Sequence, residues 1–375
     1  MKLNIICPIF DTTGYANHAR QLANALHERG EEVRIDSPKP DGWQRLVNDA
    51  ELIMLQREYD EEYTSIMIGL PQFWRLGMGD NPKRFIGYFV WEGDKVPISW
   101  IQYFMDDDVE QVWVSSKHVK DAIINTLFEA TGLKNLDGDW EVLKEGRDWD
   151  KIKIIPHGVD LSLFKPPEEK PQRPFTFIVN KGWRGEMEDR GGVQYAIKAF
   201  TEEFNENDDV RLVIKINPAY LPFNFDFAEE IKKIGIKKKD KPEILINTDT
   251  VDFKLMPSLY HEGDIFINPC RADGFGLTGL EAKACGLRTI QTNFGGQLDY
   301  MDSSDLYIRY KSGRDLNSTL SVFINMSAVS CFLIPIFSIS SLKLNKGEIY
   351  AGFNLTINLT SSSGLNSSAN AFKTY

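Results

Sequence analysis

Asp273-Gly274-Phe275-Gly276-Leu277-Thr278-Gly279-Leu280-Glu281 is the stretch on which the fold turns. An apolar run, Asp264-Ile265-Phe266-Ile267-Asn268, precedes it and ends at Pro269. A segment of small residues follows, Leu280 to Cys285, closed by Gly286. The order is strand, glycine-rich loop, helix. Such a loop aims backbone N–H groups at the start of a helix, where the dipole favours an anion. Asp273 and Glu281 bracket the seat. Amides for a diphosphate and carboxylates for hydroxyls suit a sugar-nucleotide.

The same stretch contains Gly274-Phe275-Gly276-Leu277-Thr278-Gly279, which has the form G-x-G-x-x-G. A dinucleotide fingerprint also needs an acid about 20 residues on, at the tip of the next strand. That strand, Leu287 to Thr292, runs into Asn293-Phe294-Gly295-Gly296 instead. The loop also lies in the C-terminal half of the chain, so a nicotinamide cofactor is disfavoured.

Outward from this loop the chain alternates strand-like and helix-like segments. In the first half the strands are expected at Leu3–Ile9, Val33–Ile35, Glu51–Leu55, Arg84–Trp91, Glu110–Val114 and Lys151–Ile155. Ala19, Leu22, Ala23 and Leu26 mark a helix face that stops at Gly30. Beyond the Pro-rich connector 165–174 the strands are Phe175–Asn180, Arg211–Ile216, Glu243–Asn247 and Asp264–Asn268. Val193, Ala196, Ile197 and Phe200 give a helix face between the first two. Alternation of this kind predicts parallel α/β sheets. The expected architecture is two doubly wound, Rossmann-like domains, 1–165 and 166–310, facing a cleft where ligands bind at strand carboxyl ends. The Lys-rich run Ile231 to Lys241 reads as the solvated end of a helix.

Composition sets limits. A chain of 375 residues with net charge -11 is long enough for two cores and is unsuited to general nucleic-acid binding. The cysteines, Cys7, Cys270, Cys285 and Cys331, form no C-x-x-C pair, which points to reduced thiols in the cytoplasm. Asp11 ends the first apolar run too early for a signal peptide. The histidines at 18, 27, 118, 157 and 261 lack metal-ligand spacing. Asp137-Gly138-Asp139 and Asp148-Trp149-Asp150 have a D-x-D form but lie in a charged loop, and Asp106-Asp107-Asp108 follows a helical segment. No metal site is expected, and no cofactor.

These residues together resemble a family-four retaining glycosyltransferase of the GT-B fold, over about residues 1–310. The likeness rests on Thr13-Gly14-Tyr15-Ala16 with Arg20, and on Tyr88 to Pro97 with Val112 to Ser116. It rests further on Ile154 to Asp160 with Phe164, on Asn180 to Arg184 with Asp189 to Gly192, and on Asp273 to Glu281 followed by Gly295-Gly296. The resemblance implies transfer of a sugar from a nucleoside-diphosphate-sugar to an acceptor hydroxyl, in polysaccharide or glycoconjugate assembly. It implies that Asp273 holds the donor sugar and Glu281 accepts from ribose hydroxyls. Lys181, Arg184 and Arg190 would offset the diphosphate charge. Gly14, Gly274, Phe275, Gly276, Leu277 and Thr278 would line the donor. Trp91, Glu92 and His157 would lie on the side of the acceptor, a saccharide or a lipid-linked molecule. Peripheral association with the inner membrane face is part of that expectation.

The sequence departs from the family in three places. Asp273 stands where Glu is usual, Arg190-Gly191-Gly192 replaces Arg-Lys-Gly, and the loop at Gly14 has one glycine where two are common. These departures keep two rivals open: a degenerate sugar-nucleotide-binding protein, and an epimerase or hydrolase on the same fold.

From about Lys311 the composition turns to Ser and Asn, and residues 316–342 carry no charge. This 311–375 tail is expected to be out-of-frame or fused sequence joined near 302–312. A membrane segment around Leu320–Ile339 is a rival reading. So is a glycosylated tail, from the N-x-S/T sites at Asn317, Asn325, Asn354, Asn358 and Asn366.

Overall fold

The computed structural model describes residues 1–324 and 373–374, except 12, 43, 45–46, 60–61, 79–81, 131–148, 186–188, 223, 237–239, 241 and 315–319. The chain divides into two units, 1–160 with 273–277, and 161–272 with 278–375.

The first unit holds a six-stranded parallel sheet ordered β2-β1-β3-β4-β5-β6. Its strands are β1 (Lys2–Ile6), β2 (Glu32–Asp36), β3 (Thr64–Ile68), β4 (Arg84–Phe89), β5 (Gln111–Val114) and β6 (Ile152–Ile154). Helices α1 (Gly14–Glu28), α2 (Asp49–Gln56), α3 (Trp74–Gly77), α4 (Ile101–Phe104) and α5 (Lys117–Ala130) connect them. Both faces of the sheet are covered, as parallel pairing requires. On β4 the alternation is plain: Phe85 and Phe89 join one apolar cluster, Ile86 and Tyr88 the other. Ala16, Ala19 and Ala23, at helical spacing, bury one face of α1. Each large apolar side chain so enclosed contributes about 1.5–3 kcal/mol.

The second unit holds β7 (Phe175–Asn180), β8 (Val210–Lys215), β9 (Glu243–Asn247), β10 (Ile265–Asn268), β11 (Arg288–Thr292) and β12 (Leu306–Ile308). They are ordered β12-β11-β10-β7-β8-β9, all parallel. Their helices are α6 (Val193–Glu203), α7 (Phe227–Ile234), α8 (Met256–His261) and α9 (Leu277–Ala284). β7 is buried along nearly its whole length, so it reads as a continuous apolar run. Asp226 caps α7 by accepting from the N–H groups of Ala228 and Glu229, and Gly235 ends it in the left-handed region. β13 (Tyr310–Arg314) and β14 (Leu320–Ile324) pair antiparallel, and β15 (Lys373–Thr374) pairs antiparallel with β9.

In both sheets the chain travels outward one way, returns, and travels the other way. The reversal falls between β1 and β3 in the first sheet and between β7 and β10 in the second. At such switch points the loops leave in opposite directions and open a crevice at the strand carboxyl ends.

One expected strand is corrected. Glu51–Leu55 lies inside α2, because Asn48 and Glu51 form a reciprocal capping box. The Asn48 side chain accepts from the Glu51 N–H at 2.8 Å, and the Glu51 carboxylate accepts from the Asn48 N–H at 3.0 Å. β3, which the sequence did not announce, takes the place assigned to that strand. The D-x-D stretch 137–139 and Asp148 lie outside the described residues. So do Cys331, the sites at Asn317, Asn325, Asn354, Asn358 and Asn366, and most of the segment 320–339. Among the described residues no helix is long and apolar enough to cross a membrane.

Glu51 also ties α2 to α1. Its buried carboxylate accepts from Arg20 at 3.0 and 3.2 Å and from Asn24 at 3.3 Å. Replacing Glu51 with Ala removes the cap and strips Arg20 of its partner. Expected destabilisation is about 2–4 kcal/mol, with some solvent still reaching Arg20. Urea unfolding of the E51A variant checks it; a change within experimental error would show that the capping box and ion pair carry no weight.

Candidate functional site

In the second unit the loops on both sides of the switch point carry the residues singled out above. β7 ends at Asn180 and passes into Lys181 and the basic loop. β10 ends at Asn268 and passes through Pro269 towards the glycine loop and α9.

Polar side chains line the carboxyl ends of these strands. Asn180 pairs in register with Lys215, and Lys215 with Asn247. On the other side of the sheet Asn268 is in register with Gln291 and donates to its carbonyl at 3.1 Å. All five are buried. A polar layer under an apolar sheet needs partners within the protein. Lys215 donates to the carbonyl of Ile216 at 3.0 Å; burial lowers its ammonium to about 8, with Asp249 pulling the other way.

Glu281 sits on α9 and is 3% exposed. Its Oε2 accepts from the Tyr260 hydroxyl at 2.6 Å, and the Tyr260 oxygen accepts from Asn180 Nδ2 at 3.1 Å. Burial pushes the Glu281 carboxyl up to about 7, while the hydrogen bond from Tyr260 draws it back down. Thr278, in the first turn of α9, has an enclosed hydroxyl oxygen with no partner among the described residues.

The basic loop is folded by Asp189. Its carboxylate accepts from the N–H of Arg184 at 3.0 Å and from that of Gly191 at 2.7 Å. Its carbonyl accepts from Gln194 at 2.9 Å. Asp189 thereby serves backbone groups, and the side chains of Arg184 and Arg190 are exposed. The Arg190 carbonyl accepts from the N–H of Arg271 at 2.8 Å, which ties this loop to the one after β10. Gly192 begins α6 at φ +76°, where a Cβ would lie 2.0 Å from the Pro269 carbonyl oxygen. Only glycine fits there, which explains Gly192 where the sequence shows Arg190-Gly191-Gly192. Lys181 is half-buried, and its N–H donates to the Lys215 carbonyl at 3.1 Å.

In the first unit Gly14 opens α1 behind the cap Thr13, with open space where its Cβ would be. Segment 273–277 belongs to this unit. Asp273 Oδ1 accepts from the N–H groups of Phe275 at 3.2 Å and Gly276 at 2.7 Å, and Gly276 takes φ +80°. The Gly274 carbonyl accepts from the Ser115 hydroxyl at 3.0 Å and the Ser116 hydroxyl at 2.7 Å. A Cβ on Gly274 would fall 2.3 Å from Val90 Cγ1 and 2.7 Å from the Trp91 carbonyl oxygen, so this approach requires glycine. Leu277, half-buried, is the first residue of α9.

Phe275 stacks on His157 at 4.8 Å, and His157 stacks on His18 at 3.9 Å. Both ring nitrogens of His157 are enclosed and have no hydrogen-bond partner among the described residues. Burial lowers His18 to about 4 and holds His157 well below its ordinary range, with the neighbouring His18 adding to the effect on His157. Trp91 donates from Nε1 to the Lys95 carbonyl at 2.5 Å and packs edge-on against Trp100. The Glu92 carbonyl contacts His118 Nε2 at 3.0 Å.

The structure thus places Asn180, Lys181, Tyr260, Glu281 and Lys215 in one unit, and Gly14, Trp91, Glu92, His157 and 273–277 in the other. Sequence reasoning missed Tyr260 and His18. A tyrosine inside an apolar helix face gives no sign of where its hydroxyl goes. Among the described residues no three His, Cys, Asp or Glu side chains form a group able to hold a metal ion. Asp106, from the acidic triplet, pairs with Arg75.

With this geometry in hand, comparison with known proteins gives one answer at two levels. Residues 181–315 match the sequence model of the family Glycosyl transferases group 1. D-inositol 3-phosphate glycosyltransferase of Paenarthrobacter aurescens (strain TC1) is 26% identical over 165 residues, 43% of this chain and 39% of that protein. A probable sucrose-phosphate synthase of Thermosipho melanesiensis is 25% identical over 158 residues, 41% of this chain and 35% of that protein. The chain spans less than half the length of these relatives. Among solved structures, a glycosyltransferase of Rickettsia africae ESF-5 superposes with TM-score 0.60 at 17% identity, over 90% of this chain and 88% of that one. HepE of Anabaena, in complex with UDP and glucose, superposes with TM-score 0.56 at 12% identity, over 90% of both chains. The structural likeness shows the fold, which is GT-B.

The stacked histidines make the first unit acid-sensitive. Both are held neutral when folded, while an unfolded histidine titrates near 6.5. Their contribution is complete above that value and is lost as pH falls towards the folded value of His18, about 4. For His18 the loss is about 3 kcal/mol. Urea unfolding at a series of pH values should show a shallower acid limb for His18→Phe than for the wild type. Parallel limbs would mean that His18 is not held neutral.

Proposed function

We propose that this chain is a retaining glycosyltransferase that moves a sugar from a nucleoside-diphosphate-sugar to an acceptor hydroxyl. The observation that carries the proposal is the strand-loop-helix segment ending at Glu281. It follows β10, beside the switch point, and its closing carboxylate is enclosed by the second unit with a hydroxyl as partner. The match of residues 181–315 to Glycosyl transferases group 1 supports the same reading, as does the GT-B fold. HepE of Anabaena was solved with UDP and glucose, which makes a nucleotide-sugar donor the natural expectation here.

The difficult step is departure of the diphosphate from an oxocarbenium-like carbon. Catalysis then depends on groups placed where charge grows. Lys181, Arg184 and Arg190 supply positive charge to the leaving phosphates. The amides of Leu277 and Thr278 at the start of α9, and those near Gly14, add donors, with Gly274, Phe275 and Gly276 shaping the loop that lines the donor. The unpartnered Thr278 hydroxyl is suited to a phosphate oxygen. Asp273, whose Oδ1 already fixes the loop, holds the donor sugar and stabilises positive charge at its reacting carbon. Glu281 accepts from ribose hydroxyls. Trp91, Glu92 and His157 serve the acceptor, a saccharide or lipid-linked molecule. The leaving phosphate takes the acceptor proton on the face it departs from, which retains configuration without a strong side-chain base, a metal or a cofactor. The reaction takes place in the cytoplasm or at the inner membrane face.

The test is a transfer assay with UDP- and GDP-hexoses against a panel of saccharide acceptors, with product anomers read by NMR. Wild-type protein is expected to form a product of retained configuration. Asp273→Asn should lower kcat by about 100-fold or more while nucleotide still binds. Release of free sugar alone would mark a hydrolase, and nucleotide binding without turnover would mark a binding protein. Undiminished transfer by the Asp273 variant would remove it from the mechanism.

A further inference from the structure

We propose that Tyr260 is a positioning residue that keeps Glu281 an ionised acceptor, and so sets the pH below which donor binding is lost. The inference rests on the role given to Glu281 in the proposed function.

The geometry is a chain of donors with one direction. Asn180 Nδ2 donates to the Tyr260 oxygen, which commits the Tyr260 proton to Glu281 Oε2. Tyr260 is fully buried, and its ring packs near Phe164 at 6.2 Å and Phe266 at 6.0 Å. The hydroxyl is therefore fixed from both sides, by packing around the ring and by Asn180 at the oxygen. Only an acceptor suits the end of such a chain, and a carboxylate is the strongest acceptor available.

Few other groups act on Glu281. Tyr260 itself stays protonated, because burial first and the charge of Glu281 next raise it well above its ordinary range. Cys285, just past the end of α9, is pushed up to about 12 by burial and by Glu281, so it remains a neutral thiol. Lys215 stands next to Asn180 on β8, with its ammonium on the Ile216 carbonyl. Burial opposes the Glu281 charge, and the Tyr260 hydroxyl is the group that offsets it. A ribose diol donates two hydrogen bonds, so it needs the carboxylate and is poorly served by the acid. Tyr260 thus governs donor affinity without touching the donor.

The experiment is calorimetric titration with UDP, and in parallel GDP, at intervals from pH 5 to 9. It compares wild type, Tyr260→Phe, Asn180→Ala and Glu281→Gln. Affinity of the wild type should rise with pH to a plateau, with its midpoint near the Glu281 value of about 7. Titration of the nucleotide phosphate is common to all four proteins and cancels in the comparison. Loss of one hydrogen bond to a charged group should move the midpoint of Tyr260→Phe upward by about one pH unit. Binding is then about fivefold weaker at pH 7 and unchanged on the plateau. Asn180→Ala should move it the same way by less, and it preserves the test if Tyr260→Phe does not fold. Glu281→Gln should retain only the pH dependence that comes from the nucleotide phosphate. Equal weakening by Tyr260→Phe at every pH would make Tyr260 a packing residue and overturn the inference. A wild-type protein that binds neither nucleotide at any pH would overturn the proposed function, and this inference with it.

Discussion

A parallel sheet that the chain fills from the middle outward must leave two adjacent strands whose following loops part company. In the second unit those strands are β7 and β10, and the placing of the loops that carry the candidate residues follows from that single constraint. The loop after β7 carries Lys181, Arg184 and Arg190; the loop after β10 leads to α9 and Glu281. Neither needs to be long, because the strands already end side by side. One backbone hydrogen bond, from Arg271 to Arg190, and one forced glycine, Gly192 against Pro269, hold the two loops in register. Arg184 and Arg190 are exposed in a loop that Asp189 folds through backbone amides, and Lys181 is half-buried at its start.

The polar layer along the strand ends sets the environment of Glu281. Asn180, Lys215 and Asn247 occupy one register row, a position that apolar residues fill elsewhere along these strands. Polar groups there cost desolvation unless each finds a partner, which is why the row is knitted to the helix layer. Tyr260 does this knitting. Its ring belongs to the apolar layer under α8, and its hydroxyl reaches a strand-end amide and a helix carboxylate. A phenylalanine would satisfy the first requirement and abandon the second.

Much of this was legible in the sequence, for reasons that differ by residue. The strand at 264–268 and the helix closed by Gly286 announced themselves through an apolar run and two kinds of breaker. Glu51–Leu55 was misread because a short apolar run fits strand or helix equally well. The deciding signal was Asn48 three residues before Glu51, a cap pattern that local hydrophobicity outweighed. Tyr260 was illegible because its partners, Asn180 and Glu281, are 80 and 21 residues away. The triple stack of His18, His157 and Phe275 is non-local in the same sense. Gly274 was legible as a loop glycine, but the reason it must be glycine, the backbone of Trp91, emerges only from the packing.

The two units respond to protons in opposite directions, and this bears on where the protein is most stable. His18 and His157 are held neutral, so the first unit gains stability as pH rises through the ordinary histidine range. Burial raises the Glu281 carboxyl to about 7 even with the Tyr260 hydrogen bond drawing it down, well above an unfolded glutamate, so its contribution to the second unit is lost as pH rises to that value. The two slopes oppose each other across the interval from about 4.5 to 6.5. Near neutrality both histidines are neutral, and Glu281 is half ionised with the Tyr260 hydroxyl as its partner. In the role proposed for Glu281, ionising this buried carboxylate is a cost that hydrogen-bond donors of a ligand would offset. Two hydrogen bonds from a ribose diol would stabilise the charge that burial disfavours, and binding would then release a proton.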